Sequence, residues 1–114
     1  MTEIKKESGG FVRISDEVLM MIARTAAAEA DGVLRSRNYG RKQLARCTSV
    51  VVKNKSVKIA LTMAVRFGAK IHEVSADVQK RVKTAIETMT GLSVAEVNVV
   101  VATIVGEKKN SRNA

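Results

Sequence analysis

The sequence predicts an α+β protein: a two-layer sandwich in βαββαβ order, with a four-stranded mixed sheet and two helices on one face. Three observations carry this. Val57, Ile59, Leu61, Met63, Val65 and Phe67 alternate with Ser56, Lys58, Ala60, Thr62, Ala64 and Arg66, the period-two pattern of a strand with one buried face. Ile71, Val74, Val78, Val82, Ala85, Ile86 and Met89 then recur at spacings of three and four, the apolar stripe of a long amphipathic helix. Finally VNVVVATIV, residues 97–105, is β-branched on both faces. Strand, helix and strand in that order make a crossover unit with its helix packed on the sheet.

The elements follow in chain order. Residues 1–9 are polar and run into a Gly pair, so they are assigned to a flexible tail, and residues 10–105 form a single domain. FVRI, residues 11–14, is a short strand. Ser15 is a good N-cap, and Asp16 and Glu17 place carboxylates in the first turn, where they complement the helix dipole. The first helix is expected to run from about Asp16 to Asp31 and to stop at Gly32, with Val18, Leu19, Ile22, Ala23, Ala26 and Ala30 inward. Its outer flank is unusually apolar: Met20, Met21, Ala27 and Ala28 call for a covering loop or a second subunit.

Residues 33–46, VLRSRNYGRKQLAR, have weak periodicity and are expected as a surface loop or short irregular helix. TSVVVK, 48–53, is the next strand, and Asn54-Lys55 turns the chain back into the strand at 56–67. On the long helix, Asp77 with Arg81 and Lys83 with Glu87 are oppositely charged pairs four apart. Gly91 supplies a residue for positive φ just past the last turn. The strand at 97–105 is predicted to be covered on both sides or paired with another chain. Residues 106–114 form a flexible basic tail.

A chain of 114 residues, 46% hydrophobic and 27% charged, is long enough for one aliphatic core. Cys47 is the only cysteine, which points to a reducing compartment, and neither a signal peptide nor a spanning apolar run is visible. The net charge of +9 is unevenly placed. Ten basic residues and no acidic one lie between Gly32 and His72, whereas the other ten basic residues are outweighed by all eleven acidic ones. Arg35, Arg37, Arg41, Lys42 and Arg46 supply half of that central cluster. It is either a solvated basic face or the docking site of an anionic partner: an acidic protein, a lipid surface or RNA.

Catalytic chemistry is not predicted. His72 is the sole histidine and sits at the start of the long helix, Cys47 has no second cysteine to pair with, and Arg46 beside it is the one feature that would lower its pKa. No phosphate-binding glycine loop, nucleophile elbow or metal-ligand spacing occurs. The expectation is therefore no enzyme, no cofactor, no metal and no small-molecule substrate. RNA binding is the rival reading, weakened by having only Phe11, Tyr39 and Phe67 as rings and no GxxG clamp.

The segment GGFVRISDEVLMMIARTAAAEADGV and the later FGAKIHEVSADVQKRV and TMTGLSVAEVNVVV resemble the alkaline-shock, general-stress family of cell-envelope proteins of Gram-positive bacteria. The most specific pieces are Phe67-Gly68 with Lys70-Ile71, Val78-Gln79, Thr90-Gly91-Leu92 and Val97-Asn98-Val99. Gly68 permits the strand-to-helix turn, Gly91 caps the helix, and Asn98 is expected to satisfy a buried backbone group. The resemblance implies a cytoplasmic, non-enzymatic protein of envelope stress response, self-associating and held at the inner membrane face by a membrane-anchored partner or the anionic membrane surface. On that reading Met20, Met21, Ala27 and Ala28 serve self-association, and Arg35, Arg37, Arg41, Lys42 and Arg46 meet the anionic partner.

Overall fold

The computed structural model describes residues 2–5, 9–33 and 45–106. They form β1 (Thr2–Lys5), β2 (Phe11–Ile14), α1 (Asp16–Ala28), β3 (Arg46–Lys53), β4 (Ser56–Arg66), α2 (Ile71–Thr90) and β5 (Ser93–Val105). The class is α+β, but the strands make two sheets: an antiparallel pair β1-β2, and a mixed sheet in the order β3-β4-β5. The expected single four-stranded sheet is corrected in this respect. Phe11–Ile14 pairs locally with Thr2–Lys5, residues assigned from sequence to a tail, and Gly9 and Gly10 turn the chain at φ 101° and 75°. Closing so short a loop costs little chain entropy.

The rest of the order is as expected. β3 and β4 form an antiparallel hairpin, and β4 and β5 run parallel with α2 as the crossover. Val57, Ile59, Leu61, Met63 and Val65 of β4 are at most 2% exposed and share one core with Leu19, Ile22, Ala23, Val74, Val78, Val82 and Ile86, so both helices cover one face of the sheet. Burying each of the valine, leucine, isoleucine and methionine side chains is worth about 1.5–3 kcal/mol. α1 ends at Ala28 rather than Asp31, and the chain then turns through Gly32 at φ 99°. Ser15 caps it as expected, its side chain accepting from the Val18 amide at 3.2 Å.

The inward stripe of α1 is phased differently from the sequence expectation. Val18 is 47% exposed, whereas Ala27 is fully buried. Leu19, Ala23 and Ala27 lie four apart on one helical row, so alanine there admits close helix packing, and Val18 sits one position off that row. The ends of the α2 stripe also emerge, Ile71 at 39% and Met89 at 68% exposure.

The β3–β4 turn places both central residues at positive φ, Asn54 at 51° and Lys55 at 64°. This is the type I′ geometry that matches strand twist, and lysine is a poor occupant of its second position. Lys55→Gly is expected to stabilise the protein by about 0.5–1 kcal/mol, and Lys55→Val to destabilise it by about 1 kcal/mol. Urea-unfolding midpoints with an unchanged slope check both.

Candidate interaction surfaces

The cations that cluster in sequence do not form one patch among the described residues. Lys53 and Lys55 lie at the hairpin end of β4 and Arg66 and Lys70 at its other end, and the 11-residue strand between them spans about 35 Å. Arg66 and Lys70 moreover share a polar cleft with Asp31, Glu73 and Asp77, and Asp77 accepts from Arg81 at 3.0 Å. Their field is therefore partly neutralised. Arg46 is exposed at the start of β3, opposite Thr62. Arg35, Arg37, Arg41 and Lys42 lie outside the described residues.

The proposed self-association flank divides. Met21 is 57% exposed and Met20 and Ala28 are half-buried, but Ala27 belongs to the core and is withdrawn from that surface. Met21 instead faces an apolar groove between the helices, lined also by Thr25, Ala26, Ala85 and Met89. Two exposed methionines on opposite walls give this groove a flexible apolar rim.

The residues with reactive side chains stand apart. His72 is exposed and lies 3.9 Å from the Glu73 carboxylate. Cys47 is half-buried, its thiol directed at the Ser49 carbonyl at 3.6 Å. Burial pushes that thiol up from its ordinary value, and the backbone contact with Ser49 and the charge of Arg24 offset only part of it. The cation that acts on Cys47 is thus Arg24 of α1, not the adjacent Arg46, and the net direction disfavours the nucleophilic thiolate. Among the described residues no three His, Cys, Asp or Glu side chains come together as a metal site.

Several of the motif residues prove to tie α2 to β5. The Gln79 side-chain amide donates to the Val97 carbonyl at 2.9 Å, and a Glu87 carboxylate oxygen accepts from the Val94 amide at 3.0 Å. Thr90 donates from its hydroxyl to the Ile86 carbonyl at 2.6 Å and accepts from the Leu92 amide at 3.1 Å, and Gly91 closes the helix at φ 78°. Gly68 turns at φ 96° between β4 and α2. Asn98 departs from expectation: its side chain is exposed and reaches Glu96 at 3.4 Å instead of a buried backbone group. The expected Lys83–Glu87 pair gives way to the bond from Glu87 to the strand, a partner no helical spacing announces.

This geometry defines a small, strongly basic α+β domain in which a crossover helix is pinned to the outer strand. The chain belongs to the alkaline-shock protein 23 family, of cell envelope-related function, whose model matches residues 4–106. It is 31% identical over 99 residues to the uncharacterized protein YqhY of Bacillus subtilis, covering 79% of this chain and 73% of that one. Similarity to the uncharacterized protein Spy1614 of Streptococcus pyogenes is 32% over 116 residues, covering 86% and 92%. To YloU of B. subtilis it is 30% over 103 residues, covering 81% and 86%.

Two solved structures share the fold at 12% identity and a TM-score of 0.52. One is Aquifex aeolicus Era bound to GDP and aluminium fluoride, matched over 95% of this chain and 38% of that one. The other is Era with a GTP analogue and a segment of 16S ribosomal RNA, matched over 99% and 39%. The chain thus spans about two-fifths of those structures, and the likeness is one of fold alone. No helix among the described residues is long and apolar enough to cross a membrane.

Proposed function

We propose that the chain is a non-enzymatic scaffold or adaptor of envelope homeostasis and stress response, self-associating and acting in the cytoplasm at the inner face of the membrane. The observation that carries this reading is the apolar groove between α1 and α2, with Met21 and Met89 exposed on its walls. Apolar surface open to water costs free energy that a second copy of the chain would recover, and methionine repacks readily at such contacts. Family membership supplies the cell-envelope context. The basic segment Arg35, Arg37, Arg41, Lys42 and Arg46 supports contact with an anionic leaflet, where each cation contributes about 1 kcal/mol.

A second reading is a small RNA-binding module. It is favoured by the fold shared with Era, whose structure contains a ribosomal RNA segment, and by the charge of +9. The ring platforms on which single strands stack are scarce here, which places this reading second.

The test pairs two measurements at about physiological salt, where exposed charges are screened beyond roughly 8 Å. Sedimentation should show an oligomer that Met21→Glu with Met89→Glu converts to monomer; a monomeric parent overturns the self-association. Binding to vesicles containing anionic lipid should exceed binding to a single-stranded RNA pool and vanish when Arg35, Arg37, Arg41 and Lys42 become Gln. Capture of the RNA alone would exchange the two readings.

A further inference from the structure

β5 is the outer strand of the mixed sheet, and its free edge is treated in two ways along its length. At the two ends of the ladder the Ser93 amide donates to the Lys55 carbonyl and the Phe67 amide to the Val105 carbonyl. With the register Ile59 to Val97, Leu61 to Val99 and Met63 to Val101, strand alternation turns the backbone groups of Asn98 and Val100 toward β4 and those of Val97, Val99 and Val101 outward. α2 blunts the first part of that edge, because Glu87 takes the Val94 amide and Gln79 takes the Val97 carbonyl. No side chain of the described residues bonds the outward groups of Val99 and Val101. The edge there is long, β-branched and free of proline and of basic residues, the features of a strand that accepts another.

Beside its first part runs a groove between α2 and β5, lined by Gln79, Lys80, Lys83 and residues 94–97, Glu96 among them. Both lysines are exposed. We propose that the β5 edge, with Lys80 and Lys83 above it, is a docking site for an extended acidic segment of another protein, added to the sheet as a further strand.

The chemistry follows from the alternation. Val97, Val99 and Val101 pack against the core on the helix side of the sheet, so residues of an added strand opposite them also project to that side. A carboxylate opposite Val97 approaches Lys80 and Lys83, which line the groove beside that residue. Residues between them fall on the open face, beside Val100, which is 56% exposed, and Asn98. An alternation of acidic and β-branched residues therefore fits, and the charge of +9 steers such a partner inward.

A second copy fits less well. Its β5 would bring Val97, Val99 and Val101 to the lysine side and offers a single charged side chain, Glu96, in register with its own Lys58. RNA finds no ring in this groove to stack on.

The inference rests on the adaptor reading by naming the chemistry of a partner, yet its test reads the edge alone, so either can fail without the other. The probe is a capped nonapeptide alternating Glu with Val, titrated into the ¹⁵N-labelled protein, with a version carrying Lys for Glu as comparator. The Val99 and Val101 amide resonances should shift, and their hydrogen exchange should slow by about tenfold or more at saturation. Lys80→Glu with Lys83→Glu should weaken the acidic peptide by about tenfold or more and admit the basic one. Val99→Pro, which deletes an outward N–H and no β4 bond, should abolish strand addition in a folded protein.

Shifts confined to other surfaces, or an affinity indifferent to Lys80 and Lys83, would overturn the proposal. So would protection of Val99 and Val101 that rises with protein concentration in the absence of peptide, which would assign the edge to a second copy.

Discussion

Gly32→Ala is expected to destabilise the fold by about 3 kcal/mol, because it adds backbone strain to overpacking at a buried contact. Gly32 has φ 99°, a value that L side chains rarely adopt, and a Cβ placed there would lie 2.7 Å from Val74 Cγ2 and 3.3 Å from the Ala69 Cβ. Its carbonyl also accepts from the Arg66 amide at 2.9 Å, so the glycine cannot swing away without releasing the end of β4. Val74 in turn is anchored in the first turn of α2. Neither side of the contact can give cheaply. For a domain of this size the loss corresponds to a fall in Tm of roughly 10–20 °C. Thermal unfolding by circular dichroism checks it. Val74→Ala combined with Gly32→Ala should recover the overpacking part and leave the strain, so the double variant separates the two causes. A Gly32→Ala protein that melts within a few degrees of the parent would show that the α1–α2 junction is looser than its geometry.

The junction shows which parts of the molecule a sequence makes legible. β4 and α2 were legible because each repeats its period long enough to exclude the other, and Gly91 marks the helix end. β1 was not: four residues, two of them charged, carry too short an alternation to stand out from a tail. Ala27 was placed on the wrong face because alanine is compatible with core and surface alike, and only tertiary packing decides. The standing of β5 was equally hidden. A β-branched run is the signature of a central strand, but strand order is settled by pairing, and here nothing among the described residues pairs beyond it. Four cations of the central segment lie outside the described residues, and those of β3, β4 and the following turn are held apart by the length of β4. The bonds of Gln79 and Glu87 to β5 were hidden too, since a helix pattern says nothing of a strand many residues later in the chain.

Leu61→Ala should cost about 3–4 kcal/mol, and Val100→Ala less than about 0.5 kcal/mol, although the two lie on neighbouring strands of one sheet. Leu61 is fully buried at the middle of the central strand, in register with Cys47 on one side and Val99 on the other. Its face carries the core shared by both helices. That core is built from aliphatic side chains, with no aromatic ring among the described buried residues to slide into a void, so most of the deleted volume stays empty. Against a total stability of about 5–15 kcal/mol for a domain, the loss is a large fraction. Val100, at 56% exposure on the uncovered face, leaves no cavity. Urea unfolding of both variants checks the contrast, and equal losses would mean that the open face is covered in solution. The same contrast decides how loss of partner binding is interpreted. A Leu61 variant loses every surface together as the fold melts, whereas Lys80 and Lys83 are exposed on α2 and can be exchanged with the core intact. Binding lost in the lysine variant at unchanged stability therefore belongs to the groove, and binding lost in proportion to unfolding belongs to the core.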